Sequence, residues 1–504
     1  MNVDFHVSNL ILKLNKNIIE YKTKSSSLSQ YNYFTSYVLL QLFNSLKKID
    51  QVTTKKYDNL FMLFFCDIHK IICHEILSKN YHEKKSQISK NYIKVYLKKI
   101  IKIFYLIYII IISKFINNSK NIYIIGGLTF DKIKLSRYLL ENGIKIKKIK
   151  YNQNYSFPLK NDQYNLLHDI IKKIQIEFNF SDKLISSLKL KLFDHLENKL
   201  SKFENNFPNL ENIDLVLTGS VADDYPRLML LVAQDKNIST ITLHHGGHYQ
   251  IFDEIYQYFY EEVIIDNKIV YGHLESNIMN YGKNIYENKI NYYSRIDNDV
   301  YNFLKKNNYT NIIKQNIKKL NLSKNIRVMY FPVCFGKHYY GPNLQIPNSE
   351  YFDWQFKMLK WVEENISNNI YIKPHPKRIF ENSKINKYKK IEDINLLEIT
   401  KKTDLLIIDY PTTSMAKLSV TNIPIIFFDL GLRNITNKAM DKIKERFIYI
   451  PISTNNFAID KKILVEDNYK LKNYDYVNNY VLNNHFYNEE KRISDIIYSN
   501  FLYK

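Results

Sequence analysis

The chain has 504 residues, 45% of them hydrophobic and 24% charged, the make-up of a globular protein of two or three domains at about 100–200 residues each. Its 72 basic residues outweigh 50 acidic ones, for a net charge of +22, which favours anionic partners such as phosphorylated substrates, anionic lipid or nucleic acid. A disulfide scaffold is excluded: Cys66, Cys73 and Cys334 lack CxxC or metal-finger spacing and fit a reduced compartment.

Abundant Lys, Asn, Ile and Tyr point to a low-GC genome, a bias that raises the basic count without a functional cause. The start, Met1 to His6, has no basic residues followed by an apolar core, so no signal peptide is read there. Residues 1–118 contain neither Gly nor Pro and read as helical. Within them, Lys98 to Lys114 encloses an apolar run too short for the ~20 residues of a spanning helix. Lysines on both sides suit a bilayer interface, and a buried core segment is the other reading.

An α/β pattern begins at Ile122-Tyr123-Ile124-Ile125, a strand closing on Gly126-Gly127, then a helix from Asp131 to Asn142 with Gly143 at its end. No third glycine completes a dinucleotide fingerprint. The glycines either turn the backbone tightly or let an acceptor come close. Residues 152–210 read as a helical insertion, with Leu184 to Phe203 the most periodic part. The strand Asp214 to Thr218 is followed by Gly219-Ser220-Val221-Ala222-Asp223-Asp224, which places two carboxylates just past a strand end, before a helix from Pro226 to Gln234.

Next, Ser239 to Leu243 leads into His244-His245-Gly246-Gly247-His248-Tyr249. The glycines let an imidazole reach a sugar, and an unperturbed pKa near ~6.5 suits proton abstraction. His245 and His248 join Asp223 and Asp224 as candidate bases, and Gly246, Gly247, Gly126 and Gly127 as candidate acceptor or sugar contacts. A polar turn with solvated imidazoles is the plain alternative. No carboxylate stands at a zinc-motif spacing from the histidines, so no metal is expected. Glu261 to Asp266 reads as a further strand, and the polar stretch 275–320 as the connection between domains.

A second α/β set starts at Ile326 to Pro332, with a loop from Val333 to Ser349 long enough to fold over a ligand. The helix Phe352 to Glu363 carries Trp354, Phe356, Leu359 and Trp361, read as core. Two apolar strands follow: Ile370-Tyr371-Ile372 before Lys373-Pro374-His375-Pro376, and Leu405-Leu406-Ile407-Ile408 before Asp409-Tyr410-Pro411-Thr412-Thr413-Ser414. Ligands of open α/β sheets bind beyond the carboxyl ends of strands. Lys373 and His375 can therefore meet an anion together with Thr412, Thr413 and Ser414, one of which caps a helix through Leu418. A rigid Pro-His-Pro turn and an ordinary cap are the alternatives. Strands at Ile423 to Asp429 and Phe447 to Pro451 precede a helical tail of about 30 residues.

The two strand-end motifs resemble bacterial glycosyltransferases of the GT-B type that use CMP-activated sugars: sialyltransferases and the Kdo transferases of capsule synthesis. The similarity runs from about Asp214 to Pro451. It implies that His375, Thr413 and Ser414 hold the CMP phosphate, with Thr412 beside them and Lys373 as an added cation. The polyol-phosphate transferases of teichoic acid synthesis are similar here too. The His-Gly-Gly-x-Tyr run before an acidic stretch and Ile264-Ile265-Asp266 resembles a group of surface-carbohydrate transferases found with nonulosonic acid synthesis, which carry Gln where this chain has His244.

The expected fold class is α/β: two Rossmann-like domains (GT-B) with a helical N-terminal region. The expected division is 1–118 helical, 119–320 acceptor side, 321–475 nucleotide-sugar side and 476–504 a crossover helix. The resemblance implies metal-independent transfer of Kdo or a nonulosonate from its CMP donor to a hydroxyl of a glycan, lipid-linked or protein acceptor. No cofactor beyond the donor substrate is expected. The rivals are a cytidine-dependent polyol-phosphate transferase, a two-domain nucleotide-sugar epimerase and a non-catalytic binder of lipid or anionic polymer. No RRM, zinc-finger or helix-turn-helix signature is found, so nucleic acid is not expected as a partner. The expected place is the cytoplasm, with peripheral contact at an anionic inner membrane face.

Overall fold

The computed structural model describes residues 14–16, 27–50, 55–77, 120–125, 132–147, 149–152, 155–158, 160–219, 221–244, 251–252, 258, 260–272, 288–308, 317–318, 326–333, 348–375, 383–391, 396–399, 402–452, 459, 474–482 and 486–502. In chain order, helices α1 (Ser27–Asp50) and α2 (Leu60–Leu77) precede β1 (Lys120–Ile124), α3 (Lys132–Glu141), β2 (Ile144–Ile146) and β3 (Lys150–Asn152). Two long helices follow, α4 (Lys160–Phe178) and α5 (Asp182–Asn205), then β4 (Phe207–Asn209), β5 (Leu215–Thr218), α6 (Asp224–Asp235), β6 (Ser239–Leu243), β7 (Asn267–Tyr271), β8 (Asn291–Arg295) and α7 (Asn298–Lys306). The second half runs β9 (Val328–Phe331), α8 (Asn348–Asn365), β10 (Ile370–Ile372), β11 (Lys389–Lys390), α9 (Leu396–Ile399), β12 (Leu405–Ile408), α10 (Thr413–Leu418), β13 (Ile425–Asp429), α11 (Asn437–Arg446) and β14 (Ile448–Pro451). It closes with α12 (Tyr474–Tyr480) and α13 (Glu489–Ile497), the latter continuing into a wider turn at Tyr498–Leu502.

These strands form two six-stranded parallel sheets, ordered β2-β1-β5-β6-β7-β8 and β11-β10-β9-β12-β13-β14. The second is the order 3-2-1-4-5-6 of a dinucleotide-binding fold. Two Rossmann-like units in one chain make a GT-B architecture. Leu215–Thr218 and Leu405–Ile408 are buried at every position, because helices cover both faces of a parallel sheet and leave no solvent-facing row.

The helical layer over the first sheet is built by residue spacing. In α5, Ile185, Leu188, Leu192, Leu196, Leu200 and Phe203 form one buried stripe, and Ser181 caps the helix by accepting from the Leu184 amide at 3.4 Å. That stripe and the apolar faces of α1, α2, α4 and α6 make a single core. At the far end of the chain, Ile493, Ile496 and Ile497 of α13 lie in the core of the first sheet with Ile122, Leu135 and Leu139. The chain thus crosses back from the second sheet to the first.

Two sequence expectations are corrected. Residues Glu261 to Asp266 form a helical end and a turn, and the strand is Asn267–Tyr271. The polar start of that strand is affordable because Lys268 and Glu262, both buried, pair at 3.0 Å. The stretch 275–320 holds more than a connection, since Asn291–Arg295 is the edge strand of the first sheet. Edge strands keep one side exposed, so polar residues are tolerated there. The run Lys98 to Lys114 lies outside the described residues, among which no helix is long and apolar enough to cross a membrane.

Gly272 closes the space between β7 and α12 at φ +84°, and an added Cβ would sit 2.6 Å from both Asn479 O and Tyr480 C. Gly431, at φ +66°, has open space at the same position. Gly272→Ala should cost about 2–4 kcal/mol, from backbone strain plus overpacking, and Gly431→Ala only about 1–2 kcal/mol. Thermal melts of the two variants check the order; equal losses would mean that α12 yields at that contact.

Candidate functional site

In the second sheet the winding reverses between β9 and β12, and the crevice beyond their carboxyl ends is where such sheets bind ligands. Asp409, the first residue past β12, is 1% exposed. Its carboxylate accepts the Val333 amide at 3.1 Å and the hydroxyls of Tyr330 on β9 and Tyr351 on α8. Gln355 donates to the Tyr330 hydroxyl at 3.0 Å. Burial pushes the Asp409 carboxyl up to about 6, although these hydrogen bonds oppose the rise. The network locks the end of β12 to the first residues of the loop after β9.

The turn that follows Asp409 is shaped by its own side chains. Of the three candidate caps, Thr412 takes the position, its hydroxyl accepting the Ser414 amide at 3.2 Å. Lys417 at the other end of α10 pairs with Asp297 at 3.0 Å and Asp299 at 2.6 Å. Arg446 donates to the carbonyls of Ser419 and Thr421 at 3.0 and 2.7 Å. On the opposite flank of β9, the Lys373 amide donates to Tyr330 O at 2.9 Å, extending β10 by one residue. Pro374 is buried and His375 half-buried. Lys373 and His375 thus stand at one side of the β9 end and Thr412, Thr413 and Ser414 at the other, two strand spacings or about 10 Å apart at the backbone.

The first sheet reverses between β1 and β5. Gly126 and Gly127 lie outside the described residues; Asp223 and Asp224 start α6. Asp224 is held by Lys199 at 2.5 Å, and Lys199 also reaches Asp67 at 3.4 Å. Burial pushes Asp67 up, but His195 and Lys199 outweigh it and hold the carboxyl below its ordinary range. Asp223 is exposed, with no side-chain cap bond. The loop before it is braced by Arg227, which donates to Val221 O at 3.2 Å and to Met62 O on α2 at 2.6 Å.

The two halves meet through the segment after β6. His244 is buried; its amide donates to Ile269 O at 2.9 Å and its carbonyl accepts from Arg295. His245, Gly246, Gly247 and His248 lie outside the described residues. The chain returns at Ile251 and Phe252 on the second domain, where Phe252 bridges Ile435 and Ile251 O accepts the Thr436 amide at 2.9 Å. The histidine segment therefore has one end in each domain. Among the described residues no His, Cys, Asp or Glu cluster could hold a metal.

The profile of the LIC12162 family transferase matches residues 60–445, about three-quarters of the chain. The chain belongs to the LIC12162 transferase family. A comparison with curated proteins gives no match. Among solved structures, a glycosyltransferase from Rickettsia africae ESF-5 is 13% identical at a TM-score of 0.34, covering 77% of this chain and 100% of its own. The glycotransferase of kitacinnamycin is 9% identical at a TM-score of 0.33, over 75% of this chain and 98% of its own.

The residues that brace this transferase's crevice, Asp409, Tyr330, Tyr351 and Arg227, carry no sequence expectation of their own. The one available signal for Asp409 is a carboxylate placed directly after a wholly apolar strand.

The Asp409 carboxyl sits above its ordinary 3.8 in the folded protein, at about 6. The folded state then binds the proton more tightly, so this contribution is complete below pH 3.8 and is lost as pH rises through 6. Against Asp409→Asn, which does not titrate, the native protein should lose about 3 kcal/mol of relative stability across that window. Denaturant melts of both at several pH values check it, and a constant difference would show an unperturbed carboxyl.

Proposed function

We propose that this transferase moves a sugar from a CMP donor, a 2-keto acid sugar such as Kdo or a nonulosonate, to a hydroxyl of a surface glycan, lipid-linked or protein acceptor. The observation that carries the reading is the histidine segment rooted at His244 in one domain and at Ile251–Phe252 in the other. The run between those two ends carries two candidate bases, and the domain at its far end holds the proposed anion-binding motifs. The strand-end positions of Lys373, His375, Thr412, Thr413 and Ser414 support a phosphate site, and the motif resemblance supports cytidine as the base.

In this reading the acceptor hydroxyl attacks the anomeric carbon and gives its proton to a base on the first domain. The bond from that carbon to the phosphate oxygen breaks, and its electron pair leaves on CMP. His375, Lys373 and the Thr412–Ser414 turn stabilise the released charge, which is largest where a preorganised donor set faces it. Asp223 is the favoured carboxylate base because Asp224 is committed to Lys199, and His245 and His248 are the imidazole candidates. No metal enters the scheme. The net charge of +22 draws in the anionic donor and suits work at the inner face of an anionic membrane.

A thermal-shift series with CMP, CDP, UDP and GDP tests the donor, because a ligand that binds only the folded form raises its melting temperature. CMP should stabilise most, and His375→Ala should weaken CMP binding at least about tenfold with the fold intact. Stabilisation by UDP or GDP instead would overturn the cytidine assignment. In transfer assays Asp223→Asn should lose about 10²-fold or more in rate, in the range of a general base. An unchanged rate would move the base to the histidines.

A further inference from the structure

Arg433 lies four residues past β13 and is 7% exposed. Its guanidinium carbon stands 3.7 Å from the ring centroid of Phe252, and its Nη1 donates to the Tyr410 hydroxyl at 3.0 Å. Phe252 belongs to the chain arriving from the histidine segment, and Tyr410 opens the turn that ends in Thr412, Thr413 and Ser414. One buried cation thus touches both. Two and three residues on, Ile435 and Thr436 make the backbone bridge to Phe252 and Ile251. A desolvated guanidinium over an aromatic face is held by the ring quadrupole, and its planar fork fixes the direction of the hydrogen bond. Lysine has the charge but neither the plane nor the fork.

We infer that Arg433 is a positioning residue that registers the landing point of the histidine segment, Ile251–Phe252, against the Tyr410–Ser414 turn. Occupancy of that turn by a nucleotide phosphate changes the order of Tyr410, and Arg433 passes this to Phe252 and so to the segment from the other domain. The inference rests, on its ligand side, on the reading of Thr412–Ser414 as a donor-phosphate turn, in which Tyr410 is a neighbour and not a ligand. The link between Tyr410 and Phe252 stands without it.

Hydrogen exchange by mass spectrometry on the full chain tests both sides separately. Without nucleotide, the Thr436 amide, which donates to Ile251 O, should exchange at least about tenfold faster in Arg433→Lys than in the native protein. Equal exchange would overturn the link. With CMP as the probe, native protein should slow at residues 409–415 and at Thr436, whereas Arg433→Lys should slow at 409–415 alone, with CMP affinity within about threefold of native. An equal Thr436 response in both would overturn the coupling, because a merely structural arginine changes basal exchange and not the response to ligand. Should CMP protect nothing in the native protein, the donor reading fails while the nucleotide-free comparison still decides the link. Tyr410→Phe, which removes one hydroxyl, gives the same pattern by a second route if Arg433→Lys does not fold, and a native pattern in it would overturn the inference.

Discussion

Arg295 and Glu489 meet at 2.6 Å with 0% and 3% of their side chains exposed, and the arrangement of both domains depends on that pair. Two charges taken out of water cost several kcal/mol each unless they neutralise one another and fill their remaining hydrogen bonds. Here they do. Tyr271 donates to Glu489 at 3.0 Å, the Asn298 side chain donates to Glu490 at 2.7 Å, and Arg295 lies 4.3 Å from the Tyr271 ring and donates to His244 O. The last helix, the edge strand of the first sheet and the root of the histidine segment are therefore one unit. Two residues beyond Arg295, Asp297 pairs with Lys417 of α10, so the short stretch from Arg295 to Asp299 also reaches the helix behind the proposed donor turn. No side chain in it can be exchanged without disturbing more than one element.

The pairing of Arg295 with Glu489 leaves no mark in the sequence, whereas the parallel strands do, because of how such sheets are buried. Strands buried on both faces appear as unbroken apolar runs, so Leu405 to Ile408 and Leu215 to Thr218 announce themselves, and whatever follows them must stand at a carboxyl end. The misreading at Glu261 to Asp266 has the same root. Val263, Ile264 and Ile265 are buried in a turn, whereas the true strand opens with Asn267, which donates to Thr240 O at 3.0 Å, and Lys268, whose charge is met by Glu262. Local pattern carries no record of a partner. Likewise the groups that Asp409 accepts from, two tyrosine hydroxyls and one backbone amide, come from β9, α8 and the loop after β9, and their convergence is a property of topology alone.

Arginine gives a subtler signal. Only eight of the 72 basic residues are Arg, and of the seven among the described residues four, Arg227, Arg295, Arg433 and Arg446, are buried. In a chain biased so strongly to lysine, an arginine marks a place where a flexible ammonium does not suffice. Each of the four aims its fork at backbone carbonyls, a carboxylate or a tyrosine hydroxyl, which is the use to which a planar, weakly hydrated cation is suited. The exposed lysines are different. Pairs such as Lys360 with Glu364, both more than half exposed, add little to stability.

The strand ends of the two sheets are braced by different parts of the chain, and this sets how each can vary. On the second domain, Asp409, Tyr330, Tyr351, Gln355 and Arg446 all belong to the sheet and its own helices, so the end of β12 is fixed locally, while Tyr410 is also reached by Arg433, which packs on Phe252. On the first domain, the loop before Asp223 is held by Arg227 to Met62, and Asp224 by Lys199 next to Asp67, so its supports lie on α2 and α5, outside the sheet. A carboxylate at the head of α6 keeps its position only while those helices keep theirs. Changes in the helical layer will therefore move the Asp223 strand end directly, whereas the bonds that hold Asp409 at the end of β12 contain no residue of that layer.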